Sequence, residues 1–280
     1  MKQGIIIGGN GYIGSKLQQK LNYDIYDYGW YDSYRSVDIS PSKYRNIILL
    51  GGHSSIWMCE NDPRGSWINN VDNLIKIISF LKEDQKLIYA SSASVYGATS
   101  TVASEDHSFT NPKSYYDLQK ITLDLIALKE ISMGKNIVGL RFGTVNGLSP
   151  HTRTDLMINS MTLDAITSGT INLANPAKKR ALLFINDLCK AIELATIKDA
   201  PGIYNLSSIN TSVEEVALAV QQATNAKINN VEMHNPFSFE LDSSKFINTF
   251  GDYRIDSMTS IINELFNGLM NVRRTRRDKF

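Results

Sequence analysis

Tyr116 and Lys120 stand four residues apart, so on a helix both side chains project from one face. A phenol titrates near about 10 and is a poor base at neutral pH. A neighbouring ammonium favours the phenolate and brings it toward the working range. Ser92 closes the run Leu87-Ile88-Tyr89-Ala90-Ser91-Ser92 and can donate a hydrogen bond to the same reacting oxygen. A hydroxyl, a phenol and an ammonium so arranged move a proton at a substrate oxygen. The spacing of Tyr116 and Lys120 is cheap by itself, because Tyr12 and Lys16 repeat it. That second copy reads as chance. What distinguishes Tyr116 and Lys120 is their place twenty-four and twenty-eight residues after Ser92, on the helix that follows the serine-bearing strand.

The other half of such chemistry is legible at the N-terminus. Gly8, Gly11 and Gly14, with Tyr12 and Ile13 between them, lie between an apolar strand and a helix. There, backbone N–H groups can approach a pyrophosphate at the positive end of the helix. The glycines alone would also suit a plain tight turn; the flanking strand and helix favour a nucleotide site. Asp27 follows Gly8 by nineteen residues, where a carboxylate binds both ribose hydroxyls of NAD and repels a 2′-phosphate. A solvated loop aspartate is its other reading. Cradle and proton-moving group together point to a dinucleotide-dependent oxidoreductase or epimerase.

Alternating strand and helix patterns must position these groups, which predicts a parallel sheet with helices on its faces. Strands are expected at Gly4–Gly8, 23–27, Ile47–Leu50, Leu87–Ala90, Ile137–Leu140 and Ile203–Leu206, and helices from Tyr12, over 70–81 and over 114–129. Beyond about residue 148 the pattern loosens, with helices expected over 153–168, over 184–197 and after Thr211-Ser212. The fold class is α/β: a Rossmann-type doubly wound parallel sheet with a smaller mixed α/β substrate-binding domain. The expected NAD-binding domain spans 1–148, with 181–207 returning to it; 149–180 and 208–280 form the substrate-binding domain.

Of the 280 residues, 42% are hydrophobic and 20% charged, the balance of a globular chain with a sizeable core. A net charge of +1 gives no reason to expect nucleic acid or an acidic membrane as partner. No apolar run approaches the ~20 residues of a membrane span, and no signal peptide is seen, so a cytoplasmic protein is expected. Cys59 and Cys189 read as buried thiols. The four histidines show no ligand spacing, so no metal is expected. His53 could touch substrate or bond a helix start.

As a set, these residues resemble an extended short-chain dehydrogenase/reductase of the nucleotide-sugar epimerase/dehydratase branch. Gly8 to Gly14 matches that family's cofactor turn. Asp38-Ile39 matches its adenine-contacting pair, Leu50-Gly51-Gly52 the segment under the cofactor, and Asn70-Val71 the opening of the next helix. Ser91 to Gly97, Tyr116 and Lys120, Arg141 to Gly147, Arg180 to Leu188 and Tyr204-Asn205-Leu206 extend the similarity. The resemblance implies catalytic roles for Ser92, Tyr116 and Lys120, NAD as cofactor, a nucleotide sugar as substrate, and a homodimer through 70–81 and 114–129. It also implies that Arg180 binds the substrate diphosphate and that Arg153, Asp155 and Asn159 line the nucleotide site. For those last three, plain helix-surface positions are the alternative.

Where 4,6-dehydratases carry Asp-Glu after the catalytic hydroxyl, this chain has Ala93-Ser94, which argues against that elimination. The leading expectation is an NAD-dependent 4-epimerase working through a transient 4-keto sugar, with Tyr116 as acid and base. The alternative is an NAD(P)H-dependent 4-keto reductase. A third reading, a non-catalytic redox sensor, is weakened by the presence of all three catalytic residues.

Overall fold

In the computed structural model, residues 2–27, 43–232 and 238–277 are described, with side chains up to 271. Asp38 and Ile39 lie outside these residues. The chain begins with β1 (Lys2–Ile7), α1 (Tyr12–Leu17), β2 (Asp24–Tyr26) and β3 (Tyr44–Leu49). Next come α2 (Ile56–Asn61), α3 (Pro63–Trp67), one π-helical turn (Ile68–Asp72), α4 (Asn73–Phe80), β4 (Lys86–Ser92) and a 3₁₀ turn (Ala93–Tyr96). The short β5 (Val102–Ala103), α5 (Tyr115–Ser132), β6 (Ile137–Phe142) and β7 (Thr144–Asn146) follow. Then the chain runs through α6 (Met157–Ser168), β8 (Thr170–Leu173), β9 (Lys179–Phe184), α7 (Ile185–Ile197) and β10 (Gly202–Leu206). The last elements are β11 (Ile209–Ser212), α8 (Val213–Thr224), β12 (Lys227–Asn230), β13 (Glu240–Leu241), α9 (Ser244–Phe250) and α10 (Met258–Arg277).

The main sheet has the order β10-β6-β4-β3-β1-β2, and every pairing in it is parallel. Side chains alternate across its faces, as the two-residue period of a strand demands. Ile6, Ile48, Ile88 and Val138 pack with α1 and α7 on one face. Ile5, Ile7, Ile47, Leu49, Leu87 and Tyr89 pack with Val71, Leu74 and Leu123 on the other. With both faces covered, the strands read as continuous apolar runs, and the Rossmann-type architecture is the one expected from the alternation.

The smaller lobe packs α6, α8 and α10 together, with Ile158, Val216, Ile261 and Leu265 fully buried among them. Helix α8 starts with a capping box: the Ser212 hydroxyl accepts from Glu215 N, and the Glu215 carboxylate accepts from Ser212 N. Helix α1 braces the two lobes. The Tyr12 hydroxyl donates to Gly147 O (2.9 Å), Ser15 and Ser149 share a hydrogen bond (2.9 Å), and Lys16 pairs with Glu264 of α10 (2.8 Å). The second tyrosine–lysine copy is thus an inter-lobe tie.

Several boundaries differ from the sequence expectation. The helix expected at Asn70 is already running at Pro63: Asp62 caps it by accepting from Gly65 N, with proline in the first turn. The helix expected from Arg153 starts only at Met157. Thr152 folds the preceding turn on itself by donating to Ser149 O (2.6 Å) and accepting from Ser149 N (2.8 Å). The assignment of all of 208–280 to the smaller lobe does not hold for α9. Phe246 and Tyr253 are fully buried in the same cluster as Tyr204 of β10, and Phe246 meets Tyr253 edge to face at 5.2 Å. This return matters to stability: Phe246→Ala is expected to lower it by about 3–5 kcal/mol. Urea unfolding measures this directly, and a loss below about 1 kcal/mol would mean that α9 is only loosely docked.

Candidate active site

The carboxyl ends of β1, β3 and β4 open onto a cleft of about 1270 Å³. Its floor begins at the glycine turn. Gly8 has φ +86°, a conformation open mainly to glycine, and a Cβ there would strike the backbone of Gly51. A Cβ on Gly14 would strike the carbonyl oxygen of Gly8. The turn from Gly8 to Gly14 therefore lies tightly on Leu50-Gly51, whose N–H groups both donate to Ile7 O (2.9 and 2.8 Å). Asp27, at the end of β2, lines the cleft and accepts from Asn10 N (3.1 Å). Tyr12, Ile13, Gly11 and Gly52 line it as well.

Opposite the cradle, β4 delivers Ser92 and α5 delivers Tyr116. The Ser92 oxygen accepts from Ser94 N (3.1 Å) and so caps the 3₁₀ turn. Ser114 caps α5 by accepting from Asp117 N (3.1 Å), which fixes the start of the catalytic helix. Tyr116 and Ser92 both line the cleft. Burial pushes the phenol's pKa up; the Ser92 hydroxyl and the positive charge of Arg153 work against it. Lys120 is buried, its Nζ donates to Ala90 O (2.8 Å), and it lies 5.6 Å from the Tyr116 ring centre. Burial lowers its pKa to about 8. The sequence suggested Lys120 as the charge favouring the phenolate. In the structure, Arg153 adds a second positive charge that favours the phenolate, and Lys120 donates to a backbone carbonyl beside it.

The cleft thus brings together Ser92, Tyr116 and Arg153 with the cradle residues. Lys120 and Asn70 line a smaller recess beneath it. Arg153 spans the cleft from the turn before α6, its Nη1 donating to Ser54 Oγ (3.2 Å) while its Nη2 pairs with Asp155 (2.6 Å). Asp155 is outside the cleft lining, held by that pair. Asn159 turns inward. It is fully buried, its Oδ1 accepting from Gly147 N (2.9 Å) and its Nδ2 donating to Arg153 O (2.7 Å). Arg180, on β9, lies over the ring of Phe239 at 5.8 Å, and it is Phe239 that reaches the cleft. Phe239 and Asn69 also line the cleft and were not singled out from the sequence; Thr144, within the Arg141-to-Gly147 match, lines it too. Phe239 lies in an irregular stretch, two residues after Phe237, and belongs to no motif that the sequence offered. His53, open between substrate contact and helix start, lines the cleft and has its ring held by Asn69 (3.3 Å).

Residues 5–207 match the NAD dependent epimerase/dehydratase family. UDP-glucuronate 4-epimerase 6 of Arabidopsis thaliana is 27% identical over 162 residues, covering 55% of this chain and 34% of that protein. The chain spans less than two thirds of the length of the curated relatives it matches, from 34% to 65%. Among solved structures, MoeE5 in complex with UDP-glucose and NAD superposes with a TM-score of 0.82 at 18% identity, covering 96% of this chain and 99% of the other. UDP-glucuronic acid 4-epimerase from Bacillus cereus, in complex with UDP-glucuronic acid and NAD, gives 0.81 at 19% identity with coverage of 96% and 99%. At these identities the superpositions speak for the fold. The family match runs through most of the chain and takes in both the glycine cradle and the catalytic helix, and by it the protein belongs to the NAD dependent epimerase/dehydratase family.

Proposed function

We propose that the protein epimerises a nucleotide sugar at C4. The observation that carries this reading is that Ser92 and Tyr116 line one cleft together with the glycine cradle. NAD, the family's cofactor, fits the residues present. The cradle is a backbone surface that a Cβ at Gly8 or Gly14 would fill, and Asp27 stands where it can take both ribose hydroxyls. When bound, NAD would supply the reversible hydride acceptor for the sugar carbon.

Tyr116, as phenolate, takes the proton of the 4-hydroxyl, and the same oxygen accepts a hydrogen bond from Ser92. Arg153 favours the phenolate by its charge, and Lys120 supplies a second cation one turn along α5. Tyr116 returns the proton to the oxygen after the 4-keto sugar has turned its other face. Ala93 and Ser94 offer no acid pair for water elimination. Arg180, beside Phe239 at the rim, is assigned to the substrate diphosphate, for which a guanidinium fork is well shaped.

Incubation of the purified protein with a panel of nucleotide sugars, without added cofactor, is expected to yield the C4 epimer of one of them. Conversion that instead requires added NADH or NADPH, consumed in step with product, would replace the epimerase by a 4-keto reductase. In the active assay, Tyr116→Phe should lower turnover by at least ~100-fold while calorimetry shows NAD binding retained; near-normal turnover rejects Tyr116 as the acid/base. Arg180→Ala should raise KM more than it lowers kcat, and an unchanged KM removes it from the diphosphate site.

The protein is further proposed to pair as a homodimer through α4 and α5. Exposed Ile75 and Phe80 on the first, with Leu118, Leu125 and Leu128 on the second, form an apolar surface that a second copy would cover. Sedimentation should give a dimer that Leu125→Glu converts to monomer; a monomeric wild type rules this out.

A further inference from the structure

The inner face of α5 is unusually polar for a buried helix face. Between Tyr116 and Lys120 it carries Gln119, which is fully buried. A buried amide must find partners for both its ends, and Gln119 finds them on three other elements. Its Nε2 donates to Ser66 Oγ of α3 (2.7 Å). Its Oε1 accepts from Asn70 Nδ2 of the π-turn (2.6 Å) and from Cys59 Sγ of α2 (3.6 Å).

Asn70 continues the chain of bonds. Its Oδ1 accepts from His53 N (2.9 Å), and its Nδ2 also donates to His53 O (3.0 Å). One side chain thus clamps both backbone groups of the residue that follows Gly51-Gly52 on the cleft floor. Asn69 holds the His53 ring from the same turn. Two successive residues can grip one target because this turn is π-helical, with an extra residue in the ring.

We infer that Gln119 is a positioning residue which, through Asn70, fixes Tyr116 and Lys120 relative to the cofactor-lining loop at His53. A helix rotation of one residue would aim Tyr116 away from Ser92, and the Gln119 amide resists that rotation by losing its Ser66, Asn70 and Cys59 bonds together. The inference rests on the proposed function for its kinetic part only; the link between α5 and the cofactor loop stands on the bonds alone.

The test combines NAD binding with kinetics. Gln119→Leu preserves bulk and removes all three bonds, and Ser66→Ala, outside the cleft, leaves the Asn70 and Cys59 bonds of Gln119 while removing its Nε2 partner and the local Ser66 bond to Pro63 O. Gln119→Leu is expected to weaken NAD binding by ~5-fold, the equivalent of about one net hydrogen bond. It should lower kcat by about tenfold or more with KM within twofold, because misplacement of a reacting group acts on chemistry. The acid limb of kcat should move to higher pH. Cys59, Asp117, Lys120 and Arg153 are titratable groups that act on or lie beside Tyr116, and a displaced phenol moves away from the Ser92 hydroxyl and the Arg153 charge that favour its ionisation. Ser66→Ala should shift binding and pH limb the same way by less. A purely structural role would lower thermal stability while leaving the limb and the NAD affinity per folded molecule in place, and that result overturns the inference. Should Gln119→Leu fail to fold, an unchanged limb and affinity in Ser66→Ala does the same. If the wild type turns over no nucleotide sugar, the functional proposal fails, and the NAD dissociation constants still decide whether Gln119 and the loop are linked.

Discussion

Polar side chains buried on a single helix face set the geometry of this protein. On α5, Gln119, Lys120 and Asp124 all turn inward and are almost wholly removed from solvent. Each is tolerable only where a partner meets it. Lys120 finds Ala90 O on β4. Asp124 is met by Arg141 of β6 (2.7 Å) and by the Tyr89 hydroxyl of β4 (2.7 Å). Gln119 is met from the opposite side by α2, α3 and the π-turn. An apolar face could slide along the sheet with modest loss. This one has a single rotation and a single height at which all three residues are satisfied, and that placement holds Tyr116 against Ser92.

The same pairing sets the electrostatics. Arg141 and Asp124 neutralise one another behind the catalytic helix, with the Arg141 guanidinium also stacked 4.9 Å from the Tyr96 ring. Asp124 also acts on Lys120 one turn back, opposing the burial that lowers it. Arg153 reaches Tyr116 from the other lobe. The segment before α6 therefore contributes a charge that the main sheet alone does not supply.

Much of this was legible in the chain. Ile5-Ile6-Ile7, Ile47-Ile48-Leu49 and Leu87-Ile88-Tyr89 read directly as strands buried on both faces. Gly8 to Gly14 and the Ser92, Tyr116 and Lys120 spacing located the cleft, because both depend on local backbone geometry that sequence encodes. What escaped depends on contacts distant in sequence. Nothing near Asn70 announces a π-turn, since one added residue leaves the apolar period almost intact. Arg153 was placed on a helix that the Thr152–Ser149 turn delays to Met157. Asn159 is placed by the resemblance on the nucleotide site, with a plain helix-surface position as the alternative, and only the fold reveals Gly147 N waiting for it. Phe239 and the return of Phe246 to the main core lie in a stretch without periodicity, where position is decided by the body it folds against.

The brace through α1 has one more consequence. Tyr12, Ser15 and Lys16 belong to the short segment that forms the nucleotide cradle, and the same residues hold Gly147, Ser149 and Glu264 on the other side of the cleft. A boundary drawn along the sequence between two domains is therefore bridged by the same short segment that shapes the cleft floor. A substitution that distorts the glycine turn would pull on the smaller lobe through these ties, and a displacement of that lobe would strain the turn.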